Sequence, residues 1–212
     1  MLQPLEWFSS RRGTVFLVSF SRSANDLSQW RAYGGGSGFA LGFSETISLS
    51  AERYRDTVDD VRYGRAEQSA LVTTALDELL KVSRDDASLE GRVGRTGNLQ
   101  DAAVNVTRRT LPFLKNPAFG VERERRVAFL PPATEMRSNI APDGVLVRVR
   151  NGRLLRYVEA RWDEPPDTVS PLRAIMIGPG QSPSVADDVR DLLRMCQLRD
   201  VEILWSEIPL RG

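Results

Sequence analysis

The alternation of apolar and polar positions divides the chain into short extended runs separated by Gly- and Pro-rich turns, with three longer stretches at helical spacing. Thr14–Ser21 (TVFLVSFS) reads as a strand that puts Ser19 and Ser21 on one face and Phe16, Val18 and Phe20 on the other. Asn25 and Asp26 suit the cap of a brief helix carrying Trp30, Arg31 and Tyr33. A glycine cluster then returns the chain into a second strand, Phe39–Phe43. Two helices follow: Ala66–Val82, with Leu71, Val72, Ala75, Leu76, Leu79 and Leu80 in phase, and Leu99–Leu114. The charged, Gly-containing Arg84–Asn98 between them predicts a loop. Val58–Tyr63 and Val121–Leu130 read as strands, and Asn151–Gly152 predicts a type I′ turn joining Val145–Val149 to Arg153–Trp162. Strand Leu172–Ile177, a helix burying Val185, Val189, Leu192, Leu193 and Cys196, and strand Val201–Trp205 close the pattern. This order predicts a single α+β domain over residues 1–212, with a mixed or antiparallel sheet of about seven strands. Its three main helices group mid-chain, which disfavours a doubly wound parallel sheet.

Composition narrows the chemistry. The chain has no histidine and one cysteine, which removes Ser–His–Asp and Cys–His catalysis, zinc held by histidine and an internal disulfide. No metal cofactor is expected. No apolar run has the length of a membrane span, and the single cysteine suits a reducing compartment, so a soluble, cytoplasmic protein is expected. A net charge of +1 leaves a nucleic-acid partner open, because a basic face can hide within a balanced sum. Arginine carries nearly all the positive charge; the only lysines are Lys81 and Lys115.

Glu122–Arg126 (ERERR) is the most charged segment. As a strand it would set Glu122, Glu124 and Arg126 on one face, with Arg123 and Arg125 on the other. One carboxylate would then serve as base or acceptor while its neighbour orients the attacking group, and Arg126 would keep one ionised or bind an anion. An edge strand with cross-strand ion pairs is the structural alternative. Gly178–Pro179–Gly180 ahead of a helix matches neither the Walker pattern nor GxGxxG.

The strand ending in SFS, the LSxWRxY helix (Leu27–Tyr33), the Gly-rich turn and the GF-ending strand together resemble an uncharacterised bacterial domain-of-unknown-function family. Lys115–Phe119 (KNPAF), ERERR, Ile177–Pro179 (IGP) and Ser206–Arg211 (SEIPLR) extend the resemblance in order. Members of that family open with a further N-terminal segment carrying an aromatic–His–Tyr–Thr-like motif, so this chain is expected to lack that piece. More distantly, Ser-x-Ser followed by Glu-x-Glu looks like the ADP-ribosyltransferase fold. That resemblance implies an effector or toxin-type enzyme using NAD, with Ser19 and Ser21 lining the nicotinamide pocket. It also implies Glu124 as the catalytic carboxylate and Glu122 as the group that activates the acceptor. Trp30, Arg31 and Tyr33 would help bind the cofactor, and Arg126 and Arg211 would bind the substrate or an anion. The alternative is a non-enzymatic domain that recognises a nucleotide, nucleic acid or protein through an arginine–aromatic pocket.

Overall fold

The computed structural model describes residues 15–35, 37–51, 54–88, 95–130, 144–150, 152–162 and 170–209. Strands β1 (Phe16–Ser21), β2 (Phe39–Phe43), β3 (Leu49–Ser50), β4 (Arg55–Asp60) and β5 (Glu124–Leu130) belong to the first part of the chain. Strands β6 (Leu146–Arg150), β7 (Arg153–Tyr157), β8 (Arg161–Trp162), β9 (Leu172–Ile177) and β10 (Glu202–Trp205) belong to the second. The α-helices are α1 (Leu27–Tyr33), α2 (Arg65–Ser88), α3 (Arg95–Thr110) and α4 (Val185–Met195), with 3-10 turns at Leu111–Phe113 and Pro117–Glu122. The class is α+β, as the pattern predicts. One continuous sheet is not what forms: the described strands divide among four small sheets, ordered β1-β5-β4, β10-β9-β2, β3-β8 and β6-β7. Most of these strands have six residues or fewer, too short to carry a wide sheet.

By internal contacts the chain divides into two compact units, one of residues 1–20 and 50–161, the other of residues 21–49 and 162–212. In the first, β5 is the middle strand and pairs antiparallel with β4, with Val58 opposite Val127 and Asp59 opposite Arg126. Val127, Ala128 and Phe129 are buried in succession, the signature of a strand covered on both faces. Phe113 completes that core, and Phe16 meets Tyr54 edge-on at 5.8 Å. Along β1 the half-buried residues are Phe16, Val18 and Phe20 and the exposed ones Leu17, Ser19 and Ser21, the alternation the sequence predicts. Helix α2 runs on to Ser88 and α3 starts at Arg95, so much of the stretch expected to be loop is helical. No glycine or proline occurs from Arg65 to Glu90, so nothing local stops α2 at its last apolar turn.

In the second unit β9 pairs parallel with β10 and antiparallel with β2, and α4 makes the crossover that a parallel pair needs. Ala186, Val189 and Leu193 form the buried stripe of α4, and Val189 and Leu193 cluster with Ile175, flanked by Leu198, Val201 and Ile203. Leu192 points outward at 54 % exposure, and Cys196, expected in the core, is the exposed C-cap of this helix. The stripe follows 186, 189 and 193, so residue 196 falls where the helix has already ended. Trp30 is buried and its Nε1 donates to Asn25 Oδ1 at 2.8 Å. Asn25 Oδ1 also accepts from Ser206 Oγ at 2.7 Å. Gly178 fits against this core because a Cβ there would lie 2.7 Å from the Gly38 carbonyl oxygen and 2.9 Å from the Trp30 ring. Its conformational role is close packing, with its N–H donating to Gly38 O at 2.8 Å.

Candidate functional site

Residues 111–126 fold into a compact corner. Asn116 caps the 3-10 turn Pro117–Glu122 by accepting from Ala118 N–H at 2.9 Å, and Pro117 supplies the preset φ of a first helical position. Arg123 then adopts the left-handed conformation, φ 44° and ψ 53°, and β5 begins only at Glu124. Glu122 is therefore not on the strand, as alternation had suggested; Pro117 and the Asn116 cap favour a turn up to that point. The left-handed residue reverses the chain and still brings both carboxylates to one place.

They meet on Lys115. Its ammonium donates to Glu122 Oε2 and to Glu124 Oε1, the latter at 3.0 Å. Arg126, two residues along β5 and so on the face of Glu124, donates from Nε to Glu124 Oε2 at 2.7 Å and from a terminal nitrogen to the Pro112 carbonyl. Two anions and two cations thus balance with side chains only 11–19 % exposed. The Lys115 ammonium also lies 4.8 Å from the centre of the Phe119 ring.

A supporting layer fixes these groups. The Tyr63 hydroxyl accepts the Glu124 N–H at 3.1 Å, and Val61 N–H donates to Glu124 O at 2.9 Å. Arg62 N–H donates to Phe113 O at 2.7 Å, and Lys115 N–H donates to Arg62 O at 3.2 Å. Gln68, in the first turns of α2, donates from Nε2 to Lys115 O at 2.7 Å and to Arg62 O at 2.9 Å. Arg62 itself forks onto the Asp59 carboxylate at 2.9 and 3.1 Å.

Burial pushes the Glu124 carboxyl up, but hydrogen bonding from Lys115 and the charges of Arg126 and Lys115 outweigh it and hold the group below its ordinary value. Burial likewise pushes Lys115 down, and its bonds to Glu122 and Glu124 outweigh that and raise it. At neutral pH the centre therefore holds an ionised carboxylate and a protonated amine. Its chemistry is electrostatic or acceptor-type, since a lysine held protonated is no nucleophile.

The candidate residues are distributed as follows. Glu122, Glu124 and Arg126 come together. Ser19 and Ser21 lie on the exposed side of β1, the strand beside β5 in one sheet. Trp30 is a core residue of the other unit; Arg31 and Tyr33 are exposed there on α1, whose cap Asp26 accepts from Ser28 N–H at 2.8 Å. Arg211 lies outside the described residues. Lys115, Tyr63 and Gln68 were not singled out by sequence reasoning. The available signal was that Lys115, one of two lysines in an arginine-rich chain, opens the KNPAF motif. Among the described residues no group of three or more Cys, Asp or Glu side chains is placed to hold a metal ion, and no helix is long and apolar enough to cross a membrane.

The site thus defines an α+β protein with a preorganised carboxylate–ammonium cluster at the start of a central strand. Residues 29–127 match a family described as a protein of unknown function, DUF2971, which supports the resemblance to an uncharacterised domain family. That span holds α1 from Gln29 onward, the Gly-rich turn, KNPAF and ERERR; the SFS, IGP and SEIPLR segments lie outside it. No curated protein and no solved structure matches the chain.

Proposed function

We propose that the Glu122–Lys115–Glu124 cluster is the reaction centre of an ADP-ribosyltransferase-like effector acting on NAD. The observation that carries this reading is the adjacency of β1, with its Ser19-x-Ser21 pair, to β5, which begins at Glu124. In the proposed step the bond between ribose C1′ and the nicotinamide nitrogen breaks, and its electron pair leaves with nicotinamide. Ionised Glu124 stabilises the cationic sugar. An acceptor oxygen or nitrogen bonds to C1′, and its proton passes to Glu122. Because Lys115 is bonded to both carboxylates, its ammonium can stay with one while the other works.

The test is NAD binding by calorimetry and nicotinamide release by chromatography, with Glu124→Gln beside the unmutated protein. The expected result is saturable binding in both and a release rate about a hundredfold or more lower in the variant, the scale of losing one electrostatic stabiliser. Release unaffected by Glu124→Gln, or no binding at millimolar NAD, overturns the reading. An arginine–aromatic recognition surface would have to rest on Arg31 and Tyr33, since Trp30 is buried and Arg126 is engaged by Glu124.

A further inference from the structure

The hairpin β6–β7 stands apart from the charge cluster. Its register places Leu146 opposite Tyr157, Arg148 opposite Leu155 and Arg150 opposite Arg153, and these pairs share one face. Val147 opposite Arg156 and Val149 opposite Leu154 form the other. Only Tyr157 of the ten paired residues is even half-buried. Residues 146–157 (LVRVRNGRLLRY) hold four arginines and no carboxylate. Among the described residues Arg150, Arg153 and Arg156 have no ion-pair partner, and Arg148 lies over the Tyr157 ring at 5.2 Å.

Arg150 and Arg153 are the telling pair. Like charges directly opposite on an antiparallel ladder repel, and a two-stranded ribbon has little stability to offset that. A polyanion laid across the face removes the repulsion. Arg148 and Arg150, two residues apart, are spaced about 7 Å along the strand, which suits successive phosphates of one nucleic-acid strand. The Arg148–Tyr157 stack beside them offers a planar surface for a base. An anionic membrane fits less well, because the apolar face would lie on the bilayer and hold Arg148, Arg150 and Arg153 away from the headgroups.

We infer that the Arg148–Arg150–Arg153 face of this ribbon is a contact surface for single-stranded nucleic acid, engaged through the phosphate backbone. The test is anisotropy of a labelled mixed-sequence single-stranded oligonucleotide titrated with the whole chain across roughly 50–200 mM salt. The triple variant Arg148→Gln/Arg150→Gln/Arg153→Gln is compared with Arg190→Gln/Arg194→Gln, an exposed α4 pair, as a control for the effect of charge removal. The expected triple-variant result is affinity lower by about tenfold or more and a log–log salt slope shallower by about 2, roughly 0.7 per lost contact. The control should keep the wild-type slope. If the triple variant does not fold by circular dichroism, Arg150→Gln and Arg153→Gln singly should each lower the slope by about 0.7. No salt-dependent binding, or equal loss in the control, overturns the inference. So does binding to phosphatidylserine vesicles that Val149→Ser/Leu154→Ser abolishes, if the oligonucleotide does not bind.

Discussion

The Tyr63 hydroxyl accepts the backbone N–H of Glu124 at 3.1 Å, across 61 residues of sequence. The bond lands where the chain leaves the left-handed Arg123 and enters β5, so it fixes the direction in which the Glu124 side chain starts. Tyr63→Phe removes the acceptor and leaves a part-buried N–H unsatisfied. Chemical denaturation should show a loss of about 1–2 kcal/mol. In the proposed enzyme, turnover should fall while NAD affinity changes little.

Lys115→Met tests whether the cluster is held by its ammonium. Glu122 and Glu124 would then face each other without their shared counter-charge, although Arg126 would still hold one oxygen of Glu124. Breaking a buried charge set in this way costs about 3 kcal/mol near neutral pH. The deficit should shrink in acid as the carboxylates take up protons. A loss of equal size at every pH would mean that the ammonium charge is not what holds the cluster.

The same groups set the pH profile of stability. Glu124 is held below its ordinary value in the fold, so its contribution is present above the ordinary carboxylate range and disappears as pH falls through the lowered value. Lys115 is raised, so its contribution is present below the ordinary lysine value and disappears as pH rises through the raised one. Melting temperature should be flat through neutrality and fall at both ends. In Lys115→Met the alkaline fall should weaken.

Gly178→Ala addresses the other unit. The added methyl meets the Gly38 backbone and the Trp30 ring, and Trp30 is held by its bond to Asn25. Forced repacking of this kind costs about 1–3 kcal/mol. A variant as stable as the parent would show that Gly38 can move aside freely.

Much of the fold was legible where one local rule governs a segment. Leu172–Ile177 has the predicted bounds because Pro171 and Gly178–Pro179 punctuate it on both sides, and Phe39–Phe43 because Gly38 precedes it and the polar Ser44–Thr46 follow. Asp26 and the Trp30 turn follow from capping. The candidate site was legible only in part. Glu122 and Glu124 stand out as charged residues, but nothing local says that Arg123 turns left-handed between them. The roles of Lys115 and Gln68 depend on bonds across 9 and 47 residues, respectively. Leu192 and Cys196 were misplaced for a simpler reason: near a helix end, a shift of one residue in phase exchanges core for solvent.

The second unit is assembled from two segments, 21–49 and 162–212, and Ser206 closes onto Asn25 across 181 residues. During synthesis from the N-terminus, β2 must wait with its main-chain groups unpaired until β9 has emerged. The discontinuous unit therefore completes after the intervening residues 50–161 have been made, and a stalled or shortened chain leaves β2 as an open edge for aggregation or chaperone capture.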